Sequence, residues 1–531
     1  MSGHNPVIPA NAATHSASLD TRTQPLHAVE NAAALVLPYA ACLYAIIRSI
    51  KAFGTYSHDD HMYIPAASLF PHLALYREIP FVQTPLSIFI YALLKLLVGP
   101  AYLYLAAKLA SVLLVLGVTA MSAKTAYRLF PRPYVPWTAA TLILLNAHIF
   151  ANMSEAANYA LPLFLFALAC YLQIAKPERP TWGALTGLLM GLAASGKISF
   201  LVLAGAVALL FLIDRRRRPL TVHYLAGCAV GILPCVYYLV IDRSDFLFLN
   251  FEFHLLTNQF RGLTFFGSVI SVMDGCLDFA IFAIPLLALV AAAFILARRD
   301  WREFDWPAFP LSAREKLNIA KVAIIFVAAL IAAVLPMIYF LQYWSTPALV
   351  LIVLSVPAAA MIADRSSTFR TTMMVGSLIL IGLSSAHDLR GLGRQGADNY
   401  PPVLVMRAQE SISRLLGDSL GKHPGCVTEI LSASAVPALG SGVPLSPGSA
   451  AGEFLFRIDG VLQAKKPEFR KYSDVTRYLG PATGLLTGYY GNREFEHRMV
   501  AYAASHGFIL AGTFKYPKAP LSLYLPPECR S

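Results

Sequence analysis

The residues best suited to chemistry begin with Tyr56-Ser57-His58-Asp59-Asp60-His61-Met62-Tyr63. Two adjacent carboxylates stand between two histidines, just after a membrane-length apolar run, in a chain with 30 acidic residues among 531. A carboxylate within hydrogen-bond reach of a hydroxyl can take its proton as the oxygen attacks an electrophilic carbon. Asp59 and Asp60 are therefore candidate general bases. They can divide the roles, because neighbouring carboxylates raise one another's pKa. The bland alternative is that one of them caps the following helix. Glu155, in Ser154-Glu155-Ala156-Ala157-Asn158-Tyr159, is the only charge between two apolar runs. An acid at that depth is costly unless it has a partner or a task. It reads equally as a third site carboxylate, positioning a substrate or sharing a cation with the pair, and as a helix cap.

Cations that could meet an anion stand apart from these acids in sequence. Lys197 is alone at a turn between two apolar runs, and Arg261 follows Asn258-Gln259-Phe260. An arginine grips phosphate oxygens in bidentate fashion. Arg77 and Arg243 read better as lipid head-group contacts. His58 and His61 read mainly as solvated or hydrogen-bonded histidines. The alternative sets them with the two acids around a divalent cation, although His-Asp-Asp-His is no established ligand pattern; the metal is left open. His254 is similarly ambiguous. There is no Walker loop, dinucleotide fingerprint or zinc-finger spacing.

The elements that hold these groups are membrane helices. The chain is 57% hydrophobic and 14% charged, where a soluble protein carries roughly 25% charged residues. The pattern predicts a polytopic α-helical membrane protein with about 11 transmembrane helices, since a span needs about 20 apolar residues. They are expected near 31–50, 103–123, 136–152, 157–174, 182–195, 198–213, 221–241, 268–296, 318–341, 345–363 and 371–386. The formal charge of +12 does not point to a nucleic-acid partner. Its Lys and Arg gather in short loops, at Lys124, Arg128 and Arg132, at Lys176 and Arg179, at Arg215–Arg218, from Arg298 to Lys321, and at Arg365 and Arg370. Basic loops stay cytoplasmic, so the N-terminus is expected inside. The Asp59-Asp60 loop, Glu155 and everything beyond about residue 387 are then expected outside.

Residues 1–30 are expected to be a disordered cytoplasmic tail and 31–390 the membrane domain. The first outer loop, 51–102, should carry interfacial helices over Asp59–Pro71 and from Thr84-Pro85 to Gly99. Residues 391–531 gain charge, Gly and Pro and are expected to form a small C-terminal α/β domain. Strands are predicted over Cys426–Leu431, Phe508–Phe514 and Leu521–Leu525, with a helix over Asn492–His506. Five of the seven cysteines lie in apolar runs. Cys426 and Cys529 lie in the outer domain, where a disulfide between them is expected.

In this order the features resemble the GT-C superfamily of membrane glycosyltransferases, in particular the bacterial branch related to protein O-mannosyltransferases and the lipid A aminoarabinose transferase. Asp59-Asp60 ahead of Met62-Tyr63 looks like that family's acidic pair. Phe81-Val82-Gln83-Thr84-Pro85-Leu86 looks like its proline-containing helix start. Gly187 to Lys197 looks like its Gly-rich span ending in lysine, and Leu341-Gln342-Tyr343-Trp344 like its aromatic approach to a late helix. The likeness covers roughly residues 31–390. The chain departs from it at Gln83-Thr84, where the aminoarabinose branch has an acidic-basic pair, and at Gln342, where many relatives have histidine. The resemblance implies transfer of a sugar from a polyprenyl-phosphate carrier to an acceptor hydroxyl of a glycan, lipid or protein on the outer face of the inner membrane. It implies an Asp base, Lys197 and Arg261 on the donor phosphate, and His58, His61 and Tyr343 near sugar or acceptor, with no certain cofactor and a divalent cation left open. A donor used from the cytoplasm would carry a nucleotide, whereas these acids are expected outside. The rival readings are a transporter or flippase of lipid-linked glycans, and an inactive subunit of a complex. Neither matching halves nor midplane charges of the transporter kind are evident.

Overall fold

The computed structural model describes residues 24–57, 59–155, 159–175, 178–260, 265–296, 313–336, 340–363, 366–450, 452–488 and 493–530. His58, Arg261, the tail before residue 24 and the basic loop 297–312 lie outside them. The chain forms a helical bundle with a small four-stranded sheet at one end. Among the described residues, four helices are long and apolar enough to cross a bilayer alone, or up to six if each of two bent pairs is one span. The others are shorter apolar helices of 10–17 residues, among them Val135–Leu145, Ala160–Ala175 and Phe200–Ile213. Two expected spans are interrupted. The run 136–152 breaks at Asn146, which caps helix Ala147–Ser154 by accepting from the Ile149 N–H at 3.2 Å. The run 221–241 bends by 51° between Gly231 and Leu233, where Pro234 interrupts the ladder. Apolar windows see hydrophobicity and miss such local breaks.

The first and last long helices, Gln24–Phe53 and Ser367–Gln395, are joined near both ends by charge. Arg370 meets Glu30 at 2.5 Å, and Arg48 meets the buried Asp388 at 2.9 Å. Both contacts join residues 340 apart, so the two helices run parallel and in register. Lys51 adds a second cation on Asp388, and the Arg48 guanidinium lies 3.7 Å from the centre of the Phe150 ring. Because the helices are parallel, the loop after Phe53 and the tail after Gln395 emerge at the same end of the bundle. The last helix reaches Gln395, well past the expected end near 386. On the far side of the first helix, Leu35, Tyr39, Leu43, Ile46 and Ile50 are exposed, the stripe that lipid covers.

Helices Pro180–Gly196 and Thr221–Gly231 touch through their backbones. A Cβ on Gly187 would lie 1.9 Å from the Tyr224 carbonyl oxygen, and one on Gly227 2.0 Å from that of Ala184. Gly191 and Gly231 face each other one turn on. Small residues let membrane helices approach this closely, where dispersion replaces the missing hydrophobic drive. The first of the two helices ends at Gly196, just beyond this contact.

Between Phe53 and Leu103 the chain forms helix Asp60–Leu69 and helix Leu86–Val98, the latter opened by Pro85 and closed by Gly99 at φ 77°. The tail begins with helix Pro401–Lys422, which was not anticipated. Its sheet holds β1 (Glu429–Leu431), β2 (Thr483–Thr487), β3 (Ile509–Phe514) and β4 (Leu521–Leu525), in the order β1-β2-β4-β3. β1 and β2 are parallel, and the other neighbours antiparallel. β2 was also missed, because Thr-Gly-Leu-Leu-Thr is short and carries an internal glycine. Helix Glu494–Ser505 packs on the sheet through Phe495, Met499 and Ala503. Cys426 and Cys529 are joined by a disulfide, with Cα atoms 5.4 Å apart. A continuous apolar core unites this tail with the first loop, through Tyr63, Phe81, Tyr104, Ile412 and Leu523 among others.

The glycine contact gives a test. Gly187→Val forces side-chain carbon into backbone and should destabilise the protein by about 1–3 kcal/mol or more, seen as a lower thermal midpoint in detergent. Gly205→Ala, with nothing within 4 Å of the new carbon, should leave the midpoint unchanged.

Candidate active site

The first helix ends at Phe53, and Gly54 lies so close to the Tyr400 ring that a Cβ there would sit 2.1 Å from it. The chain then turns into helix Asp60–Leu69, which Asp59 precedes at the N-cap position. The Asp59 carboxylate makes no capping hydrogen bond. Its backbone N–H donates to Ser57 Oγ at 3.3 Å, and its carbonyl receives Met62 N–H at 3.0 Å. The capping role considered for the pair therefore does not use the Asp59 side chain. Asp60 has a different setting. It is fully buried, its Oδ2 accepts the Ser57 N–H at 3.3 Å, and it lies 3.9 Å from the ammonium of Lys108.

Lys108 projects from helix Leu103–Leu129 and is itself fully buried. It donates to the Thr55 carbonyl at 2.7 Å and to that of Ser154. One ammonium thus binds the end of the first helix, the acidic turn and the end of helix Ala147–Ser154. Sequence reasoning missed it. The signal was present, since a lone lysine early in an apolar span is as costly as the acids that were noticed.

Glu155 leaves helix Ala147–Ser154 in extended conformation. Its carboxyl is raised well above the usual carboxylate range, first by burial and then by the charges of Asp59 and Asp60. The residues that follow it, 156–158, lie outside the described residues.

Lys197 comes directly after Gly196, at the end of the helix held by the glycine contact. It donates to Gln83 Oε1 at 2.7 Å and to the Tyr343 hydroxyl at 3.2 Å. Burial lowers its pKa to about 8, while Asp59 and Glu155 act in the opposite direction. Gln83 therefore takes up a lysine at the position where the resembling branch differs. Tyr343 stands in the single turn Leu341–Trp344. That turn is pinned from below: His148 Nδ1–H donates to the Leu341 carbonyl at 3.0 Å and Asn152 Nδ2 to that of Gln342 at 3.4 Å.

Asp59, Gln83, His254, Gln342, Tyr343 and Arg457 line one cavity of about 60 Å³. His254 Nε2 lies 3.0 Å from the Val82 carbonyl, which accepts its proton. Burial first, and then Lys197, push its pKa down to about 4, so it is neutral near pH 7. His61 is buried and is joined through Nε2 to the Tyr56 hydroxyl, which also meets that of Tyr516 from the tail. Arg77, still largely exposed, pairs with Asp242 at 2.7 Å. Among the described residues, no group of three or more His, Cys, Asp or Glu side chains is placed to hold a metal ion.

The geometry thus gathers Asp59, Asp60, His61, Glu155, Lys197 and Tyr343, drawn from four separate stretches of chain. The chain matches no family model and no curated protein. It is similar to the crystal structure of ArnT from Cupriavidus metallidurans bound to undecaprenyl phosphate, at 11% identity over 92% of this chain and 97% of that one, with a TM-score of 0.50. The apo state of the same protein aligns at 13% identity over 95% and 98%, with a TM-score of 0.39. ArnT is the GT-C lipid A aminoarabinose transferase. The chain therefore has the fold of the GT-C membrane glycosyltransferases.

Lys108 supplies the prediction for this site. Lys108→Met leaves Asp60 buried without its cation and strips two carbonyls of their donor. It should cost about 3–5 kcal/mol, read as a fall in the thermal midpoint. Adding Asp60→Asn should recover part of the loss; an unchanged midpoint in the single variant would remove Lys108 from this role.

Proposed function

We propose that the protein is an integral membrane glycosyltransferase that moves a sugar from a polyprenyl-phosphate carrier to an acceptor hydroxyl at the outer face of the inner membrane. One observation carries this reading most directly. Asp59, a carboxylate not used for capping, lines the same small cavity as Gln83 and Tyr343, the two groups that hold Lys197. A base and a phosphate-binding cation are what transfer from a lipid phosphate requires. The fold shared with ArnT, which was crystallised with undecaprenyl phosphate, supports the same carrier class. The basic loops support an outward-facing site.

Asp59 takes the proton of the acceptor hydroxyl as its oxygen forms a bond to the anomeric carbon. The bond from that carbon to the phosphate oxygen breaks, and the electron pair leaves with the polyprenyl phosphate. The ammonium of Lys197 and the Tyr343 hydroxyl meet that gathering charge. Glu155, close to the acidic pair, helps to position the acceptor. Asp60, held by Lys108, positions the turn. Arg261, His58 and a metal ion have no described geometry on which to build a step.

The test is transfer from radiolabelled polyprenyl-phosphate sugars by purified protein, with envelope extract as acceptor. Asp59→Asn should lower kcat by about 10²- to 10⁴-fold with the fold intact. Full activity in that variant would overturn the assignment of the base. The pH dependence follows from Lys197. Its charge is present below a pKa of about 8 and lost above it, so donor kcat/KM should fall as pH rises through about 8. Lys197→Met should remove that limb.

A further inference from the structure

Arg457 stands between the short helices Gly452–Phe456 and Asp459–Lys465 of the tail, and it lines the cavity that Asp59 and Tyr343 also line. Its position is set by the chain around it. Leu455, Phe456 and Ile458 are buried in the tail, and its guanidinium lies 5.4 Å from the centre of the Phe454 ring, which lines the same cavity. Lys197 approaches from the bundle side, through Gln83 and Tyr343. We propose that Arg457 is a second ligand of the donor phosphate, so that the donor site is complete only with the C-terminal region in place. This rests on the reading of the chain as a polyprenyl-phosphate sugar transferase.

The argument is one of charge and geometry. Asp59 repels an anion entering the cavity, so a phosphate there needs more positive charge than a base alone leaves. Lys197 titrates near the working pH and His254 is neutral there. Among the described residues that line the cavity, only Arg457 carries positive charge at every pH. Its planar fork can take two phosphate oxygens at once. Docking of the tail is carried by other groups. Lys471 meets Asp245 at 3.1 Å, Lys466 meets Glu252 at 2.8 Å, and the Phe248 and Phe469 rings stack at 3.9 Å. None of these three contacts involves Arg457.

The experiment measures binding of undecaprenyl phosphate, undecaprenol and inorganic phosphate to the full-length protein in detergent, alongside donor KM and kcat. Arg457→Gln should weaken undecaprenyl phosphate binding and raise donor KM by about 10- to 100-fold, with kcat little changed and undecaprenol binding unchanged. Arg457→Lys should recover part of the affinity. A parallel measurement needs no variant: undecaprenyl phosphate should protect Arg457 of the wild type from an arginine-specific dicarbonyl reagent, read by mass spectrometry, and inorganic phosphate at the same concentration should not. Unchanged affinity in Arg457→Gln, absent protection, or equal protection by inorganic phosphate overturns the proposal and leaves the transferase reading standing. Wild type that binds no undecaprenyl phosphate and transfers no sugar overturns both.

Discussion

Three carboxyl groups gathered at the end of an apolar bundle are the constraint that the rest of this structure answers. Charge in such a place survives only when it is paired, protonated or useful. Each of the three has a different solution. Asp60 is paired, with Lys108 at 3.9 Å. Glu155 has its pKa raised by burial first and then by its acidic neighbours. Asp59 faces a cavity. The division follows from the cations. Lys108 is reached only through a helix that runs into the bundle, and Lys197 only where a helix stops. The bundle must therefore supply one intact span and one truncated span at neighbouring places, and the short apolar helices reflect that need.

The stopping point of the truncated span is a packing result. Glycines at 187, 191, 227 and 231 let two backbones touch, and any side chain there would strike a carbonyl or an amide. With the two helices locked, Gly196 ends its helix at a fixed height and Lys197 is delivered to Gln83 and Tyr343. A motif that looks like a binding signature is thus chiefly a packing device, followed by the lysine proposed to meet the donor phosphate. The parallel clamp of the first and last long helices works at a larger scale. It returns the tail to the end from which the acidic loop leaves, so a common core can join Tyr76 to Tyr472, whose hydroxyl donates to the Tyr76 carbonyl at 2.8 Å.

Much of the fold was legible because it rests on hydropathy alone. The apolar runs, the two helices of the first loop, strand β4 and the helix before β3 all follow from period and composition. Helix breaks at Asn146 and Pro234, strand β2 and helix Pro401–Lys422 did not, since they depend on tertiary partners or on a single residue in a long run. The site shows the same split. Asp59, Asp60, Glu155 and Lys197 stood out as charges in apolar surroundings. Gln83 had been noted as a departure from a resembling pattern, and the structure gives it a role as the acceptor for Lys197. Tyr56, Tyr516 and Arg457 carried no local signal, because their meaning comes from the tail folding back onto the first loop.

That folding back also bears on which member of the acidic pair faces substrate. Adjacent residues at a helix start point in different directions, since successive side chains there are about 100° apart around the axis. With Asp60 turned to Lys108, Asp59, itself buried, is directed elsewhere and lines the small cavity. The space it meets is walled by the segment 340–343 on one side and by Phe454 and Arg457 on the other. The first wall belongs to the membrane bundle and the second to the tail. The carboxylate is therefore set at the seam between the two parts of the molecule. In the proposed reaction, a lipid-borne donor held by the bundle and an acceptor from the aqueous side would meet at such a seam. The first loop, which carries two of the three acids, shares one apolar core with the tail.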